Sequence, residues 1–487
     1  MDLFPFNFEI NYILVNVGNN INGDCMIAER LKKDFNNSTD LKHKVFNKVN
    51  VMYLESICSS DKVNEYILQN ITMGHKYLFL RDIVSGPNVI YVNDYNLIKE
   101  YLLNGFALIY DKKDMLVCEV KGDLYRSVTP PTAETAVNGP KDSFNESILM
   151  NLGLIKRRIK SDKLVNEDFM LGRKTITKVS LLYCNDIVKE DLVEEARNRI
   201  KNIDIDGIID IEVLSQYLVN NYDKEDSPLP TIIKTERPDR VSRALLEGKL
   251  VMIADNSPYA LIMPAFLSDF INPQGDYYVR AINVNFLKII RLICFVATIT
   301  LPAIYIAIIN YSPETIPLSL LLSFQAGRSG VPFPSAFEAV FMIFLCTILR
   351  ESDIRFPSTY GSSISILGAL ILGEAAVSAN VASPIMIIII GITFVTGLIF
   401  SSGEIIDGLR FFRLFVLLMA IIFGLYGLVI GCFILLIHIC SIETFKKPYL
   451  YPLAPFDKTY LFKTILKKNK DTKRSKLLSD NLTRGNV

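Results

Sequence analysis

Ionisable side chains inside apolar sequence are the residues of this 487-residue chain best placed to do chemistry. Glu374 lies deep in an apolar run, where an ionised carboxylate is costly unless it meets water, a cation or a partner. A ring of Glu374 side chains around a pore would select cations. The presence of Glu374 in an apolar run can also be explained without a pore. Its carboxylate would then form an ion pair with Arg410, Arg413 or Arg328, or it would be neutral.

Other candidates lie in the same apolar part of the chain. Glu338 and His438 are weaker ionisable candidates, and Ser362 and Ser365 are further candidates for an ion path. Small residues recur at every fourth position along one predicted helical face, at Gly361, Ser365, Ala369 and Gly373. The same spacing separates Gly427 from Gly431. Such a stripe lets two helices approach closely. Packing within one subunit is the simpler interpretation, and a pore wall or a contact between subunits is the alternative.

Catalysis has little support in this sequence. The histidines are His43, His75 and His438, which lack the spacing of metal ligands, and no serine or cysteine lies in a nucleophile motif. The eight cysteines form no Cys-x-x-Cys or Cys/His cluster, which is typical of small buried side chains in a reducing compartment. A formal net charge of +1 gives no basic face for nucleic acid. We therefore expect no enzymatic activity, no metal, no cofactor and no nucleic-acid partner.

The elements that would hold these candidates follow a change in composition near residue 286. Asp, Glu, Lys and Arg make up 74 of the first 285 residues but 14 of the 155 residues from 286 to 440. Five long apolar runs occupy this second part: residues 286–310, 331–349, 361–379, 383–400 and 411–439. Each reaches or approaches the roughly 20 residues that a helix needs to cross a bilayer. The pattern predicts an α-helical polytopic transmembrane domain.

Both chain ends are predicted to be cytoplasmic. The first residues lack the basic flank, apolar core and cleavage site of a secretory signal peptide. From residue 447 the tail carries ten lysines and arginines against three aspartates, and positive charge favours the cytoplasmic side. Two cytoplasmic ends require an even number of crossings, whereas five runs are strong. One run is then re-entrant or lies flat, or the short segment at residues 317–326 completes a sixth crossing.

The part before residue 286 contains a degenerate internal repeat. Residues 49–57 resemble residues 179–187, and an acidic helical pattern follows both at the same spacing. A second match places Gly105 and Gly248 at the ends of two helices, each followed by the pattern of a β-hairpin. Each half therefore predicts a strand, two helices and a hairpin. We expect an α/β soluble region of two tandem related lobes.

Predicted domain boundaries follow from these patterns. They are an N-terminal extension at residues 1–40, lobe 1 at 41–126, a linker at 127–142, lobe 2 at 143–280, a transmembrane helical domain at 281–445 and a basic cytoplasmic tail at 446–487. Residues 143–146 (SFNE) match a capping box that would start a helix. Arg157 and Arg158 lie near the end of that helix, where positive charge suits the helix dipole. They form a solvated helix end or, alternatively, a basic contact with a neighbouring subunit or lipid headgroups.

Ordered sequence blocks give the chain a resemblance to the A-subunit family of bacterial spore germinant receptors, the GerA family. In the soluble part the blocks are residues 143–146 and 151–159, TERPDRV at 235–241 and ALLEG at 244–248. In the apolar part they are GVPFP at 330–334, ILRE at 348–351, ISILGAL at 364–370, Ser383-Pro384 and PYLYPLAP at 448–455. The resemblance covers roughly residues 45–455.

The resemblance implies a protein of the spore inner membrane that forms a ring-shaped homo-oligomer among membrane lipids. Its implied partners are a permease-like B subunit, which senses the nutrient, and a lipoprotein C subunit. In that family picture the A subunit is a gated cation channel that acts during germination. A non-conducting scaffold of the receptor and a small-molecule transporter are the alternatives, and a divergent or sporulation-stage paralogue falls within the first class.

The chain departs from the family pattern at several positions. Ile343 and Thr347 stand where relatives usually have acidic residues, and Glu374 stands where they have glutamine. Ser329 replaces a usual glutamate, and residues 401–403 lack a usual proline. Because these changes fall where an ion path would lie, the resemblance does not assign ion-path residues to individual positions of this chain.

Overall fold

The chain divides into two compact units, residues 1–123 with 160–165 and residues 124–159 with 166–487. The computed structural model describes residues 23–46, 49–72, 80–111, 114–122, 131, 134, 138–220, 227–355, 373–400 and 402–456. The first unit contains a five-stranded sheet, and the second contains another five-stranded sheet together with long apolar helices. The names lobe 1 and lobe 2 are kept for the parts that carry the first and the second of these sheets.

The sheet of lobe 1 has helices on both faces. Its strands are β1 (Leu41–Phe46), β2 (Val49–Leu54), β3 (Val89–Tyr91), β4 (Phe106–Tyr110) and β5 (Met115–Glu119), in the antiparallel order β1-β2-β4-β5-β3. The helices are α1 (Gly23–Asp34), α2 (Ser60–Val63), a π-helical turn (Asn64–Leu68), α3 (Gln69–Thr72) and α4 (Tyr95–Leu103). Side chains alternate along β2, so Val51 packs against the α2–α3 segment while Met52 packs against α1 and α4.

The sheet of lobe 2 repeats this strand order. Its strands are β6 (Leu164–Leu171), β7 (Thr177–Cys184), β8 (Ile233–Thr235), β9 (Leu250–Ala254) and β10 (Ala260–Met263), in the order β6-β7-β9-β10-β8. The helices are α5 (Ile148–Arg158), α6 (Glu190–Lys201), α7 (Ile211–Asn220), α8 (Pro238–Leu246) and α9 (Leu267–Ile271). Because the order is that of lobe 1, the prediction of two related α/β lobes is confirmed.

Each half of the repeat has more strands than the sequence predicted. β1 and β6 each pair with the strand that follows, and β3 and β8 are edge strands of three residues. The prediction missed β1 because five of its six side chains are half-exposed or exposed, and it missed the edge strands because three residues show no period. Gly105 and Gly248 do end α4 and α8, with φ of +89° and +85°.

The helix predicted to start at the capping box of Ser143 starts later. α5 begins at Ile148 after Ser147. The side chain of Asn151 accepts a hydrogen bond from the Asn145 backbone N–H at 2.8 Å and donates to its carbonyl at 2.6 Å, which holds this segment in a turn before the helix. The capping-box prediction is therefore wrong. The apolar side chains of Ile148, Leu152, Ile155 and Ile159, which recur at helical spacing, are buried.

The apolar part of the chain forms helices after lobe 2. They are α10 (Ala281–Tyr311), α11 (Leu318–Arg328), α12 (Ser335–Arg355), α13 (Pro384–Gly397) and α14 (Gly403–Ser441). Among the described residues, α10 and α14 are long and apolar enough to cross a membrane, while α13 is apolar but shorter. The predicted run at residues 361–379 lies mostly outside the described residues, although residues 373–378 are helical.

α14 is a helical hairpin. Gly424 has φ of +64° and ψ of −137°, and these values interrupt the helix. The chain then returns along the preceding arm, because the ring of Phe412 lies 5.5 Å from that of His438. The run at 411–439, predicted as one of the five apolar runs that could cross a bilayer, therefore belongs to two antiparallel arms, residues 403–423 and 425–441.

Both arms of α14 end at one loop of lobe 2, residues 227–231, which we call the anchor loop. Gly408 in the first arm lies so close to the anchor loop that a Cβ there would be 2.6 Å from the Pro228 carbonyl oxygen. In the second arm, His438 Nε2 is hydrogen-bonded to Ser227 Oγ at 3.0 Å. The hairpin therefore leaves lobe 2 and returns to the same place.

The residues after α14 lie on lobe 2 as a C-terminal strap, residues 442–456. It contains a small hairpin of β11 (Glu443–Thr444) and β12 (Lys447–Pro448). The Arg199 guanidinium lies 4.2 Å above the ring of Phe445, and the Leu267 backbone N–H donates to the Tyr449 carbonyl at 3.1 Å. The described start of the predicted basic tail is thus packed on folded protein.

Candidate functional site

Glu338 is buried where α12 meets the start of α13. It lies one turn after Ser335, the first residue of α12, and it is 1% exposed. The backbone N–H and the hydroxyl of Ser383, which caps α13, both donate to Glu338 Oε1 at 2.5 Å. Because a helix N-terminus carries partial positive charge, α13 stabilises an ionised carboxylate at this place.

Arg328 at the end of α11 supplies a full positive charge to the same carboxylate. Its Nε lies 3.9 Å from Glu338 Oε2, which is close enough for an ion pair but too long for a hydrogen bond. Neither atom makes a hydrogen bond within the described residues, and the same is true of the buried Tyr305 hydroxyl on α10. We call Glu338, Ser383, Arg328 and Tyr305 the Glu338 cluster. Its members come from four helices, so a shift of any one of them changes this site.

The other residues predicted for an ion path are not part of this cluster. Ser362 and Ser365 lie outside the described residues, as do Gly361 and Ala369. Glu374 is exposed. The described ion pairs do not include a partner for Glu374, since Arg328 lies beside Glu338 and Arg410 pairs with Asp407 at 3.1 Å.

The predicted small-residue contacts fall into two groups. Gly427 and Gly431 lie between the two arms of α14, where a Cβ on Gly427 would be 1.9 Å from the Met419 carbonyl oxygen and one on Gly431 would be 3.4 Å from the Met419 Cβ. A Cβ on Gly373 would have nothing within 4 Å. The first two glycines therefore pack within one chain, whereas Gly373 faces open space.

Arg158 is held within its own chain. It is paired with the Asp142 carboxylate and donates to the Leu154 carbonyl at 3.0 Å. Arg157 is half-buried, and Lys156 beside it is buried. The basic end of α5 is therefore largely folded into lobe 2, which neither the solvated-end interpretation nor the neighbour-contact interpretation anticipated.

A buried charge network lies at the start of α8, and sequence reasoning missed it. Arg237 donates to both carboxylate oxygens of Asp239, at 3.0 and 2.9 Å, and the Tyr278 hydroxyl donates to the same carboxylate at 2.7 Å. Burial opposes ionisation, but the hydrogen bonds from Arg237 and Tyr278 outweigh it and hold the pKa of Asp239 below its ordinary value. Burial and the bond to Asp239 raise the pKa of Tyr278 to about 12.

The network also ties lobe 2 to the chain on either side of it. In the linker, Glu134 accepts hydrogen bonds from Arg240 at 2.5 Å and Thr235 at 2.6 Å. Just before α10, Asp276 accepts two hydrogen bonds from Arg291 of α10, at 2.5 and 3.0 Å. The linker and the first long apolar helix are therefore fastened to the same lobe by charge-assisted bonds, which are about twice as strong as neutral ones.

One signal in the sequence bears on these sites. Ser383 followed by Pro384 is typical of a helix start, since serine caps and proline suits the first helical turn. That pattern predicts where α13 begins but not which carboxylate reaches it. Within the described residues, no group of three or more His, Cys, Asp or Glu side chains could hold a metal ion.

Comparison with known proteins gives one consistent family. The family model described as Bacillus/Clostridium GerA spore germination protein matches residues 29–477. Spore germination protein KA of Bacillus subtilis (strain 168) is 35% identical over 361 residues, which are 74% of this chain and 66% of that protein, just under two thirds of its length. The uncharacterized membrane protein YfkQ of the same organism is 30% identical over 89% of this chain and 88% of its own.

Among solved structures, the chain is similar to the crystal structure of the N-terminal domain of the A subunit of the Bacillus megaterium spore germinant receptor GerK3. The identity is 28%, and the match covers 49% of this chain and 94% of that one, with a TM-score of 0.37.

Proposed function

We propose a function from the premise that this chain belongs to the GerA family, as a member of the spore germination receptor A subunits. The protein is a multi-pass subunit of the spore inner membrane with both termini in the cytoplasm. Copies of it form a ring that works with a permease-like B subunit and a lipoprotein C subunit. The ring is a gated cation channel that opens during germination, and it acts without catalysis.

The hairpin in α14 supports an even number of crossings. Both of its arms end at the anchor loop, so α14 crosses twice and returns to the side of lobe 2. With the runs at residues 286–310, 331–349, 361–379 and 383–400, the two arms make six crossings. Six crossings would leave both termini on one side of the membrane, as we propose, and would not require α11 to cross.

The observation that carries the proposal is the attachment of both arms of α14 to lobe 2. Gating requires that a signal outside the membrane favours one arrangement of the helices over another. A displacement of the anchor loop moves Gly408 and His438 together, and therefore moves the hairpin as one body. The salt bridge between Asp276 and Arg291 gives lobe 2 a second hold, on α10.

Of the sites described above, the Glu338 cluster is the one whose electrostatic energy changes most when these helices move. An ion pair in an apolar region is costly when its atoms lack hydrogen bonds. A shift of α11 or α12 by about 1 Å brings Arg328 Nε into hydrogen-bond range of Glu338 Oε2 or weakens the ion pair by lengthening it. We assign the cluster to the gate, and the exposed Glu374 to the surface that faces ions.

The test is potassium flux through the purified full-length oligomer in liposomes. Replacement Glu338→Gln keeps an acceptor for Ser383 but removes the charge opposite Arg328, so it changes how often the channel opens, by tenfold or more. Replacement Glu374→Gln changes ion selectivity and leaves assembly intact. Electron microscopy of the same sample checks for a ring.

Three outcomes contradict the proposal in different ways. A ring that passes no potassium under any condition supports the non-conducting scaffold. A lone protomer in the bilayer removes the channel and leaves a transporter. Flux that Glu374→Gln and Glu338→Gln both leave unchanged keeps the channel but rejects these two residues.

A further inference from the structure

Two arginines at the lobe 2 end of α14, Arg413 and Arg410, are poorly compensated by negative charge within the described residues. Arg413 is 7% exposed, and within the described residues it makes no hydrogen bond and no ion pair. Arg410 has one ion pair, with the exposed Asp407, and its Nη2 is buried without a hydrogen bond. A buried guanidinium without a counter-charge is strongly destabilising. The site therefore calls for an anion.

The position of these arginines along the helices narrows the choice of anion. Arg413 follows Gly408 by five residues, so it lies about 7.5 Å along the helix from the contact with the anchor loop. After Arg413 the next charged residue is Glu443. Arg413 thus marks the point where the apolar first arm gives way to polar sequence.

α12 has a matching boundary. It is uncharged from residue 339 to residue 349, and Arg350 follows. The Arg350 guanidinium and that of Arg410 both repel the charge of Arg413, so the three side chains are near one another. Two helices therefore change from apolar to basic at one level, which is how membrane helices behave where acyl chains meet headgroups.

The surroundings of the two arginines also suit a lipid. Phe411 is 61% exposed and Leu414 is 40% exposed, so apolar side chains lie beside the cationic ones. A guanidinium binds two phosphate oxygens at once, which makes arginine well suited to phosphate. Basic pockets between transmembrane helices on the cytoplasmic side bind anionic headgroups.

We propose that Arg413 and Arg410 bind the phosphate of an anionic phospholipid in the leaflet next to lobe 2. Arg413 supplies the buried guanidinium and Arg410 the half-buried one. Phe411 and Leu414 contact the acyl chains. The site rests on the membrane placement of α14 in the proposed function, but it does not depend on conduction.

The experiment uses the full-length protein in a mild detergent, delipidated and then titrated with phosphatidylglycerol, phosphatidylcholine or inorganic phosphate. Lipid that stays bound is counted by native mass spectrometry, and thermal stability is measured in parallel. We expect phosphatidylglycerol to stay bound and to raise the melting temperature, and the other two to do neither. Arg413→Gln lowers the affinity for phosphatidylglycerol by at least tenfold, and Arg413→Lys lowers it less.

A control variant and a reversal in the order of stability distinguish binding at this site from general effects of charge. Arg280→Gln removes the same charge at an exposed position before α10 and leaves lipid binding unchanged. In lipid-free detergent, Arg413→Gln is at least as stable as the unaltered protein because it relieves a buried unpaired charge. Added phosphatidylglycerol reverses this order.

Four results would overturn the proposal. Phosphatidylglycerol that binds Arg413→Gln as tightly as the unaltered protein rejects the site. Equal binding of inorganic phosphate shows a soluble anion instead. Loss of the oligomer in Arg413→Gln, with no effect of lipid, points to a carboxylate of another protein chain. Loss of stability in lipid-free detergent shows that Arg413 already has a partner within the fold. None of these results bears on potassium flux, so the two proposals fail separately.

Discussion

Lobe 1 and lobe 2 share one strand order but differ in the helix that precedes the last hairpin. α4 of lobe 1 buries two residues, Ile98 and Leu102, and its cap, Asp94, bonds locally to the Asn96 backbone. The corresponding α8 of lobe 2 buries seven of its nine residues, among them Asp239. One scaffold can therefore carry a half-exposed surface helix in one copy and, in the other, a buried helix to which the linker and the segment before α10 are bonded.

Neutralising the acidic residue of each helix should give the largest contrast. Asp239→Asn leaves Arg237 buried beside a neutral amide, and breaking a buried pair in this way costs about 3–5 kcal/mol. Asp94→Asn keeps a side chain that caps a helix and costs less than about 1 kcal/mol. Rates of thiol labelling at Cys184 of lobe 2 and Cys118 of lobe 1, both buried, report the opening of each lobe. Equal effects of the two substitutions would mean that α8 holds no special role.

A second contrast compares two arginines that lie over aromatic rings. Arg199 of lobe 2 is 1% exposed and lies 4.2 Å from the Phe445 ring, whereas Arg30 of lobe 1 is exposed at the same distance from the Tyr95 ring. A desolvated cation–π contact is worth about 2 kcal/mol and an exposed one about 0.5–1 kcal/mol.

We therefore expect Arg199→Gln to accelerate labelling at Cys184 and to increase hydrogen exchange in the C-terminal strap. Arg30→Gln should barely change labelling at Cys118. If the strap keeps its protection after Arg199→Gln, the strap is held by its backbone and tyrosines instead.

The two equivalent glycines should give a smaller contrast. Alanine at either position is strained by the positive φ, at about 1–2 kcal/mol. At Gly248 the new Cβ would also lie 3.3 Å from the Ile187 backbone oxygen, while at Gly105 it would lie 3.1 Å from the Lys121 side chain and 3.2 Å from that of Ile57, without a backbone contact among the nearest atoms. Gly248→Ala should therefore be the more destabilising, as measured by thiol labelling of its lobe. The reverse order would show that lobe 1 packs more rigidly than its exposure suggests.

Acid should produce the smallest contrast. The pKa of Asp239 is below its ordinary value of 3.8, so its stabilising effect is complete above that value and is lost as the pH falls through the lower pKa of the folded state. In lobe 1 the hydrogen bond from Lys99 lowers the pKa of Asp34, but this carboxylate is more exposed. Hydrogen exchange, corrected for intrinsic rates, should show lobe 2 losing protection before lobe 1 below about pH 4. Asp239→Asn should abolish that difference.

The lobes could be predicted from the sequence where their signals are local. A helix end at Gly248 and the hairpin after it depend on a few adjacent residues, so the pattern was sufficient. β3 and β8 were not predicted because an edge strand of three residues is defined by its pairing with a neighbouring strand and is too short to show a period of its own. The capping box failed because Asn151, six residues away, offered the backbone of Asn145 a competing partner.

The candidate site was harder to predict because its partners are far apart in sequence. Glu338 stood out as a carboxylate in an apolar region, but Ser383 lies 45 residues away and reaches it only once α12 and α13 pack. Gly424 looks like Gly427 and Gly431 in the sequence, and its apolar neighbours are alike on both sides. Nothing local therefore distinguishes the residue that turns the chain from those that pack the two arms.

The C-terminal strap sets an order of events during synthesis. The last strand of the lobe 2 sheet ends at Met263, but Phe266, now fully buried, is covered by Tyr451, and that tyrosine leaves the ribosome some 190 residues later. At bacterial rates of about 5–20 residues per second, this apolar surface stays uncovered for roughly 10–40 seconds while the apolar helices are synthesised. Lobe 2 therefore completes its packing around Phe266 only after all of these helices have been made.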